Sequence, residues 1–242
     1  MSEFFSALLI LSALSGCAQK NTVQSVDNKT GAVVVKSDSL TYLALGDSYT
    51  IGQSVPLSQS FPYQLTAQLN ATLKASVPTI IATTGWTTND LMTSITNSGL
   101  TTQTYDLVTL LIGVNDQFQG ISQNTYRSNF IALLKTAIRF AGGNKAKVFI
   151  ISIPDYSVTP FAGYNSASQL SQIVKEIDEF NAINKTESSN ENVNYLDIID
   201  ISRRAASDSS LLAPDGLHPS AKMYGLWIER LLPLVKSMLQ AK

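Results

Sequence analysis

The chain has 242 residues but only one histidine and one cysteine, and each scarcity excludes a class of function. A zinc site built from the usual cysteine and histidine ligands cannot be assembled within one copy of the chain, and an intramolecular disulfide is impossible. No glycine-rich phosphate-binding loop is present. Because a serine hydroxyl becomes a nucleophile at neutral pH only when a neutral imidazole accepts its proton, the chain can build only one serine–histidine pair, with His218.

Charge of one sign is also lacking. The 17 lysines and arginines are balanced by 18 aspartates and glutamates, which gives a formal net charge of −1. With no basic stripe, nucleic acid is excluded as an expected partner. The sequence has no internal repeat, and it lacks the Gly-x-Ser-x-Gly motif of the nucleophile elbow, which argues against an α/β-hydrolase of the usual kind.

What the sequence does have begins near its amino end. Residues 4–15 form an apolar run that is too short to span a bilayer as a permanent anchor but has the length of a signal-peptide core. Residues 17–39 are mostly polar and cannot bury much surface, which predicts a flexible tether. The rest, residues 40–242, has the length and composition of one domain with a sizeable core.

The apolar run ends in Leu-Ser-Gly-Cys at 14–17, which resembles the lipobox of bacterial lipoproteins. The resemblance implies that residues 1–16 are a lipoprotein signal peptide and that Cys17 becomes the lipidated first residue. More than one lipid chain would hold the protein stably on a membrane face. Because Ala18 is not the aspartate that retains many such proteins at the inner membrane, the resemblance favours a place in the bacterial cell envelope, at the outer membrane and periplasm where the organism has them.

Apolar runs of strand length alternate with longer segments of helical period, which is typical of βαβ units and a parallel sheet. The pattern predicts a three-layer α/β/α sandwich around a mostly parallel five-stranded sheet. The expected strands are 40–45, 77–82, 106–112, 147–153 and 193–198. The expected helices are one that opens over 61–69, then 126–140, 169–184 and 221–239.

One serine, one aspartate and the sole histidine have the arrangement of a catalytic triad. Ser48 follows the first predicted strand, and Asp215 precedes His218 by three residues in a segment that Gly216 and Pro219 bend. Such spacing places a carboxylate beside one ring nitrogen while the other faces the site. Asp215 is preferred for this role because of that spacing. Other carboxylates could in principle orient the imidazole: Asp47, Asp116, Asp155 and Asp200.

Four short segments resemble the sequence blocks of the GDSL or SGNH hydrolases, and they arrive in family order. The segments are Leu-Gly-Asp-Ser-Tyr at 45–49, Thr-Gly-Trp-Thr at 84–87, Gly-Val-Asn-Asp at 113–116 and Asp-Gly-Leu-His-Pro at 215–219. The resemblance implies an SGNH-hydrolase-like, flavodoxin-like fold and a serine esterase or lipase that needs no cofactor and no metal.

The resemblance also implies an oxyanion hole made by the backbone N–H groups of Ser48 and Gly85 and the side-chain amide of Asn115. Donors held in advance stabilise the negative charge that acyl transfer places on the former carbonyl oxygen. The second block departs from the family pattern, which often opens with an asparagine before its glycine, because the run here is Ile-Ile-Ala-Thr-Thr-Gly at 80–85. The departure puts the hydrogen bonding of that loop in doubt.

The resemblance leaves the substrate open among small acyl esters, lysophospholipids and acetylated carbohydrates. Several aromatic residues near the blocks could line an acyl pocket, stack on a sugar or pack in the core: Trp86, Phe118, Tyr156, Phe161 and Tyr164. The competing class is a lipid-anchored binding module of the same fold that holds an ester or glycan without turning it over.

Overall fold

Five short apolar runs form a fully parallel sheet in the computed structural model, which describes residues 39–100 and 102–241. The strands are β1 (Tyr42–Gly46), β2 (Thr79–Ala82), β3 (Leu107–Leu111), β4 (Val148–Ile151) and β5 (Asn194–Leu196). Their order is β2-β1-β3-β4-β5, and every neighbouring pair is parallel. The three strands at the centre are buried along their whole length, as expected where helices cover both faces of a parallel sheet.

Helices cover this sheet in two layers. They are α1 (Ser48–Ile51), α2 (Phe61–Leu69), α3 (Thr88–Asn97), α4 (Val114–Phe118), α5 (Gln123–Phe140), α6 (Ala167–Asn190), α7 (Ile199–Arg203) and α8 (Ala221–Gln240). Helix α2 packs on α8, while α3 packs on α5 and α5 on α6. The predicted three-layer α/β/α sandwich is therefore confirmed, and its strand order is that of doubly wound flavodoxin-like folds.

The long helix α6 ends six residues beyond its predicted end at 184. The extra turns carry polar residues, yet Glu187 and Ser188 are buried. The Glu187 carboxylate pairs with Arg127 of α5 at 2.6 Å, and the Ser188 hydroxyl donates to the Asn184 carbonyl at 2.6 Å. The apolar periodicity that predicts a helix does not continue through these polar turns. Their salt bridge to α5 therefore could not be foreseen from it.

The carboxyl ends of β1, β2 and β3 lie side by side in the sheet, and the loops that follow them carry Ser48, Gly85 and Asn115. In open parallel sheets this edge is where ligands bind. None of the helices in residues 39–100 and 102–241 is both long and apolar enough to cross a membrane. The expected signal peptide (1–16), the lipid attachment site Cys17 and all but the last residue of the expected tether lie outside the described residues.

Candidate active site

Ser48 is placed by a sharp turn between β1 and α1. Gly46 ends the strand, and a Cβ at that position would overlap the Thr50 hydroxyl and the Leu111 carbonyl. Asp47 then caps α1, because its Oδ1 accepts the Tyr49 N–H at 3.0 Å. Ser48 is the first residue of α1, so its own backbone N–H is one of the groups that the helix leaves without an internal partner.

His218 and Asp215 form a close polar pair at the site. The distance from His218 Nδ1 to Asp215 Oδ2 is 2.6 Å, and Asp215 Oδ1 accepts the backbone N–H groups of Leu217 and His218 at 3.0 Å each. The imidazole is 7% exposed and lies against the Tyr49 ring, with centroids 5.4 Å apart. With Nδ1 engaged, Nε2 is the ring nitrogen that remains for proton transfer.

The charge of Asp215 is fixed by its donors. Partial burial opposes the charged form, but hydrogen bonds from the Ser54 hydroxyl, the His218 ring and the backbone of Leu217 and His218 outweigh it and lower the pKa of Asp215 to about 2. The carboxylate is therefore ionised at every pH at which an esterase is usually assayed.

The other four aspartates that could have oriented the imidazole are engaged elsewhere. Asp155 pairs with Arg203 at 2.8 Å, and Asp200 pairs with Arg230 through both oxygens. Asp47 and Asp116 are buried and accept hydrogen bonds from Tyr49 and Thr88 instead. The structure brings Asp215, and none of these four, into hydrogen-bonding distance of the ring.

Ser48 and His218 line the same cleft, yet no hydrogen bond joins them in the part of the chain that the structure describes. Catalytic hydrogen bonds are often long in the absence of substrate and shorten in the complex. The arrangement is thus that of an open site, in which the Ser48 hydroxyl has no hydrogen-bond partner among the described residues.

The two further oxyanion donors expected from the sequence also line this cleft. Gly85 has a φ of +83°, a conformation that glycine adopts without strain, and a Cβ there would meet no atom within 4 Å. Asn115 lies in α4, and its Nδ2 donates to the Trp86 carbonyl at 2.9 Å. One amide hydrogen of Asn115 holds the Gly85 loop, and the second has no acceptor among residues 39–100 and 102–241.

Asp116, the neighbour of Asn115, points away from the cleft. It accepts the Thr88 N–H at 2.8 Å and the Thr88 hydroxyl at 2.6 Å, which ties α4 to α3. Burial raises the pKa of Asp116, although the hydrogen bonds from Thr88 oppose the shift. Asn115 and Asp116 both lie inside α4.

The walls of the cleft are mostly apolar. The rings of Phe118, Tyr156 and Phe161 contact one another, with centroid distances of 6.2 to 6.4 Å. The cavity volume is about 130 Å³, within an empty space of about 500 Å³ that includes the open mouth. The residues that line it are Ser48, Tyr49, Thr84, Gly85, Val114, Asn115, Phe118, Tyr156, Phe161, Leu217 and His218.

Trp86 and Tyr164, the other aromatic candidates, are not among the lining residues. The Trp86 side chain packs against the core, and only its carbonyl serves the site. Tyr164 is 74% exposed and contacts the outer side of Phe161, with centroids 6.2 Å apart. Sequence reasoning missed Tyr49, Val114 and Leu217, each of which stands beside a predicted site residue in one of the four blocks.

The family is shown by sequence comparison. Residues 44–226 match the model of the GDSL-like Lipase/Acylhydrolase family, so the chain belongs to that family and is an enzyme of the GDSL esterase and acylhydrolase type. No curated protein matches the whole sequence significantly.

Solved structures show the same fold at low sequence identity. TesA is 18% identical with a TM-score of 0.61, over 82% of this chain and 99% of that chain. The psychrotrophic esterase EstA from Pseudoalteromonas sp., inhibited by monoethylphosphonate, is 20% identical with a TM-score of 0.61, over 83% and 99%. Axe2, an acetyl xylan esterase from Geobacillus stearothermophilus, is 15% identical with a TM-score of 0.56, over 81% and 94%.

Proposed function

We propose that the protein hydrolyses carboxylic esters through an acyl-enzyme on Ser48. The observation that carries this proposal is the Asp215–His218 pair at 2.6 Å, which lines the same cleft as Ser48, Gly85 and Asn115. A nucleophile, an oriented base and convergent hydrogen-bond donors around one cavity are the parts that acyl transfer needs.

The proposed first half-reaction makes the acyl-enzyme. The Ser48 Oγ attacks the ester carbonyl carbon while His218 Nε2 takes the hydroxyl proton, and the carbonyl oxygen becomes an oxyanion held by Ser48 N–H, Gly85 N–H and the Asn115 amide. The tetrahedral intermediate then expels the alkoxide, which receives the proton from His218. Asp215 stays ionised and stabilises the imidazolium between these two transfers.

Water completes the second half-reaction in the same geometry. His218 takes a proton from water as its oxygen attacks the acyl carbon, and the new intermediate collapses to release the carboxylic acid and the Ser48 hydroxyl. Each half-reaction begins and ends with a neutral imidazole, so the protons balance over the cycle.

A serine-directed fluorophosphonate tests this proposal directly. We expect one adduct per chain, located on Ser48 by peptide mass spectrometry, and no adduct with Ser48→Ala. His218→Ala should suppress labelling and turnover to a similar degree, since triad residues act as a unit. A folded protein that is neither labelled nor active on any ester would support the binding-module alternative, and turnover retained by Ser48→Ala would remove Ser48 as the nucleophile.

We further propose that the acyl group is small and apolar. The cavity of about 130 Å³ is close to the size of an apolar cavity that holds one benzene molecule, roughly 150 Å³. The Phe118, Tyr156 and Phe161 rings present it with an apolar wall, whereas a sugar would require several polar partners. An acyl chain of more than about six carbons would extend past the mouth.

A panel of p-nitrophenyl esters with acyl chains of increasing length measures this preference. We expect kcat/KM to be greatest for short chains and to fall for long ones. Acetylated xylo-oligosaccharides belong in the same panel, because Axe2 is named as an acetyl xylan esterase. A preference for these sugars, or a value that rises through long chains, would overturn the proposed substrate class and leave the mechanism standing.

We also propose that Cys17 anchors the protein in a bacterial envelope membrane. The support is the Leu-Ser-Gly-Cys sequence at 14–17 behind the apolar run. Lipid chains stabilise membrane attachment by about 0.8 kcal/mol per buried CH₂. We expect mass spectrometry of the native amino terminus to find a lipidated Cys17, and Cys17→Ala to block processing. An unmodified Cys17 thiol would refute the anchor.

A further inference from the structure

The turn that follows α1 has an unusual backbone. Gly52 has a φ of +78° and Ser54 a φ of +65°. Glycine tolerates this left-handed region, but serine reaches it only at a cost in conformational energy. Strain of this kind is retained where surrounding contacts hold it, and it is common at functional sites.

This turn makes one hydrogen bond to each of two loops of the active site. The Ser54 hydroxyl donates to Asp215 Oδ2 at 2.5 Å, the same oxygen that His218 Nδ1 contacts. The neighbouring Gln53 Oε1 accepts the Thr84 hydroxyl at 2.6 Å, and Thr84 directly precedes the oxyanion residue Gly85. Two consecutive side chains therefore hold the triad loop and the oxyanion loop.

The turn is itself fixed to the nucleophile helix. The Gln53 N–H donates to the Ser48 carbonyl at 3.0 Å, and the Val55 N–H donates to the Gly52 carbonyl at 3.2 Å. A Cβ on Gly52 would lie 2.5 Å from the Ser60 side chain, so the backbone has little room to shift. Residues 52–55 thus connect the triad loop and the oxyanion loop to the helix that begins with Ser48.

We propose that this turn is a positioning element of the active site, in which Ser54 fixes the carboxylate of Asp215 and Gln53 holds the loop that carries Gly85. The proposal rests on the catalytic function proposed above. Ser54 and Gln53 touch no reacting atom, so their effect is exerted through Asp215 and Thr84.

Asp215 needs such a partner because its side chain is 30% exposed. A carboxylate within reach of water can exchange protein donors for solvent, and each exchange releases the imidazole from its orientation. Ser54 donates to Oδ2, whereas the backbone donors of Leu217 and His218 engage Oδ1. On the oxyanion loop, Gln53 engages Thr84, the residue directly before Gly85.

Two substitutions at Ser54 separate catalysis from folding. Ser54→Ala and Ser54→Gly both remove the hydroxyl, but only glycine suits a φ of +65°. We expect both to lower kcat roughly tenfold, the effect of losing one hydrogen bond to a charged group, with KM unchanged. We expect Ser54→Gly to keep or raise the melting temperature, while Ser54→Ala lowers it. Ser171→Ala, at an exposed serine of α6, is the matched control and should change neither.

A merely structural role would make activity follow stability, so a stable Ser54→Gly variant with wild-type kcat would overturn the proposal. Asp215→Asn supplies a second criterion. If Ser54 acts through Asp215, Ser54→Ala should add no further loss of kcat in the Asp215→Asn background. If the double variant instead loses kcat by the product of the two single losses, Ser54 does not act through Asp215.

Proton NMR gives a readout that needs no turnover. His218 is the only histidine, so its Nδ1–H resonance is assigned without ambiguity. We expect this resonance to broaden and to exchange faster with water in Ser54→Gly. A wild-type protein that hydrolyses no ester would refute the proposed function, whereas an unchanged resonance in Ser54→Gly would refute the role of Ser54.

The Gln53 half of the turn is tested in the same way. Gln53→Ala and Thr84→Val each break the hydrogen bond to the oxyanion loop, and we expect each to lower kcat several-fold, with no further loss when they are combined. Wild-type kcat in both variants, or losses that multiply, would remove Gln53 from the positioning element.

Discussion

Asp215 and Asp47 lie at the same end of the sheet, and their environments drive their carboxyl groups in opposite directions. Asp215 sits in an exposed loop and accepts four hydrogen bonds, which lower its pKa to about 2. Asp47 is 0% exposed, and Oδ2 has no hydrogen-bond partner in the described part of the chain. Burial, with a contribution from the Asp116 charge, raises its pKa to about 8.

This contrast shows that nearness to a catalytic group does not decide the charge of an aspartate. The number of donors and the access of water decide it. Asp215 remains charged beside an imidazole, whereas the raised pKa of Asp47 favours a neutral acid that caps α1. Asp215 should therefore affect catalysis, and Asp47 should affect how the free energy of unfolding varies with pH.

The largest expected effect comes from removing the charge of Asp215. Asp215→Asn should lower kcat by about 10³–10⁴-fold, because an amide cannot stabilise the imidazolium and can hold the wrong tautomer. Asp47→Asn is the matched control, since asparagine is isosteric with a protonated aspartate and keeps the cap to Tyr49. Steady-state kinetics on a short acyl ester measures both. An equal loss of kcat in Asp215→Asn and Asp47→Asn would show that the two carboxyl groups do not differ in their role in catalysis.

Asn115 and Asp116 repeat the comparison within one motif. Asn115→Ala removes one oxyanion donor and should lower kcat by about 10²–10³-fold with little change in stability. Asp116→Ala removes the acceptor of the Thr88 N–H and of the Thr88 hydroxyl hydrogen, although the hydroxyl oxygen still accepts from Asn129, and it should lower the free energy of unfolding by about 1–3 kcal/mol. Steady-state kinetics and denaturant unfolding of both variants check this assignment of Asn115 to catalysis and Asp116 to stability. An Asn115→Ala variant that is markedly less stable than the wild type would contradict it.

The next effect concerns the free energy of unfolding between about pH 4 and 8. The folded pKa of Asp47, about 8, lies above the ordinary value of 3.8, so the folded protein binds a proton that the unfolded chain releases. Its contribution is greatest below pH 3.8 and is lost as the pH rises toward 8, with a slope of up to about 1.4 kcal/mol per pH unit.

Asp47→Asn removes that titration. We expect the difference in unfolding free energy between this variant and the wild type to grow in favour of asparagine across the same pH range, as measured by urea unfolding at several pH values. A constant difference would mean that Asp47 is ionised in the folded protein.

The smallest expected effect is the loss of unfolding free energy at low pH that protonation of Asp215 causes. Its folded pKa of about 2 lies below the ordinary value of 3.8, so its contribution to stability is present above pH 3.8 and is lost as the pH falls through 2. Solvent screening at this exposed loop keeps the contribution small. Unfolding of the wild type and Asp215→Asn should differ at pH 5 and converge near pH 2.

The sequence located the sheet because buried parallel strands are continuous apolar runs. Strands β2 to β5 fall within the predicted ranges, and β1 ends one residue beyond its range, at Gly46. It also brought Ser48, Asp215 and His218 to one candidate site, because strand ends and a three-residue spacing are local signals. Helix α3 was missed although its Thr87–Asp90 capping box is readable in the sequence.

Other features depend on contacts between residues that are distant in the chain. Ser54 lies 161 residues from Asp215, and nothing in its neighbourhood signals that partner. The raised pKa of Asp47 likewise follows from burial, which the Gly-Asp-Ser-Tyr motif does not encode. Local patterns therefore predict which residues stand at the site, and the fold decides their partners and charges.

The direction of the strands has a practical consequence for attaching the protein to a surface. Strand β1 runs from Tyr42 toward the cleft, so the described chain enters the domain at the opposite edge of the sheet. Helix α8 starts beside the cleft at Ala221 and rises about 30 Å, back past the turn at Lys145–Lys147 that precedes β4. Immobilisation on a bead or electrode through either end of residues 39–241 would therefore leave the mouth of the cleft facing the solution.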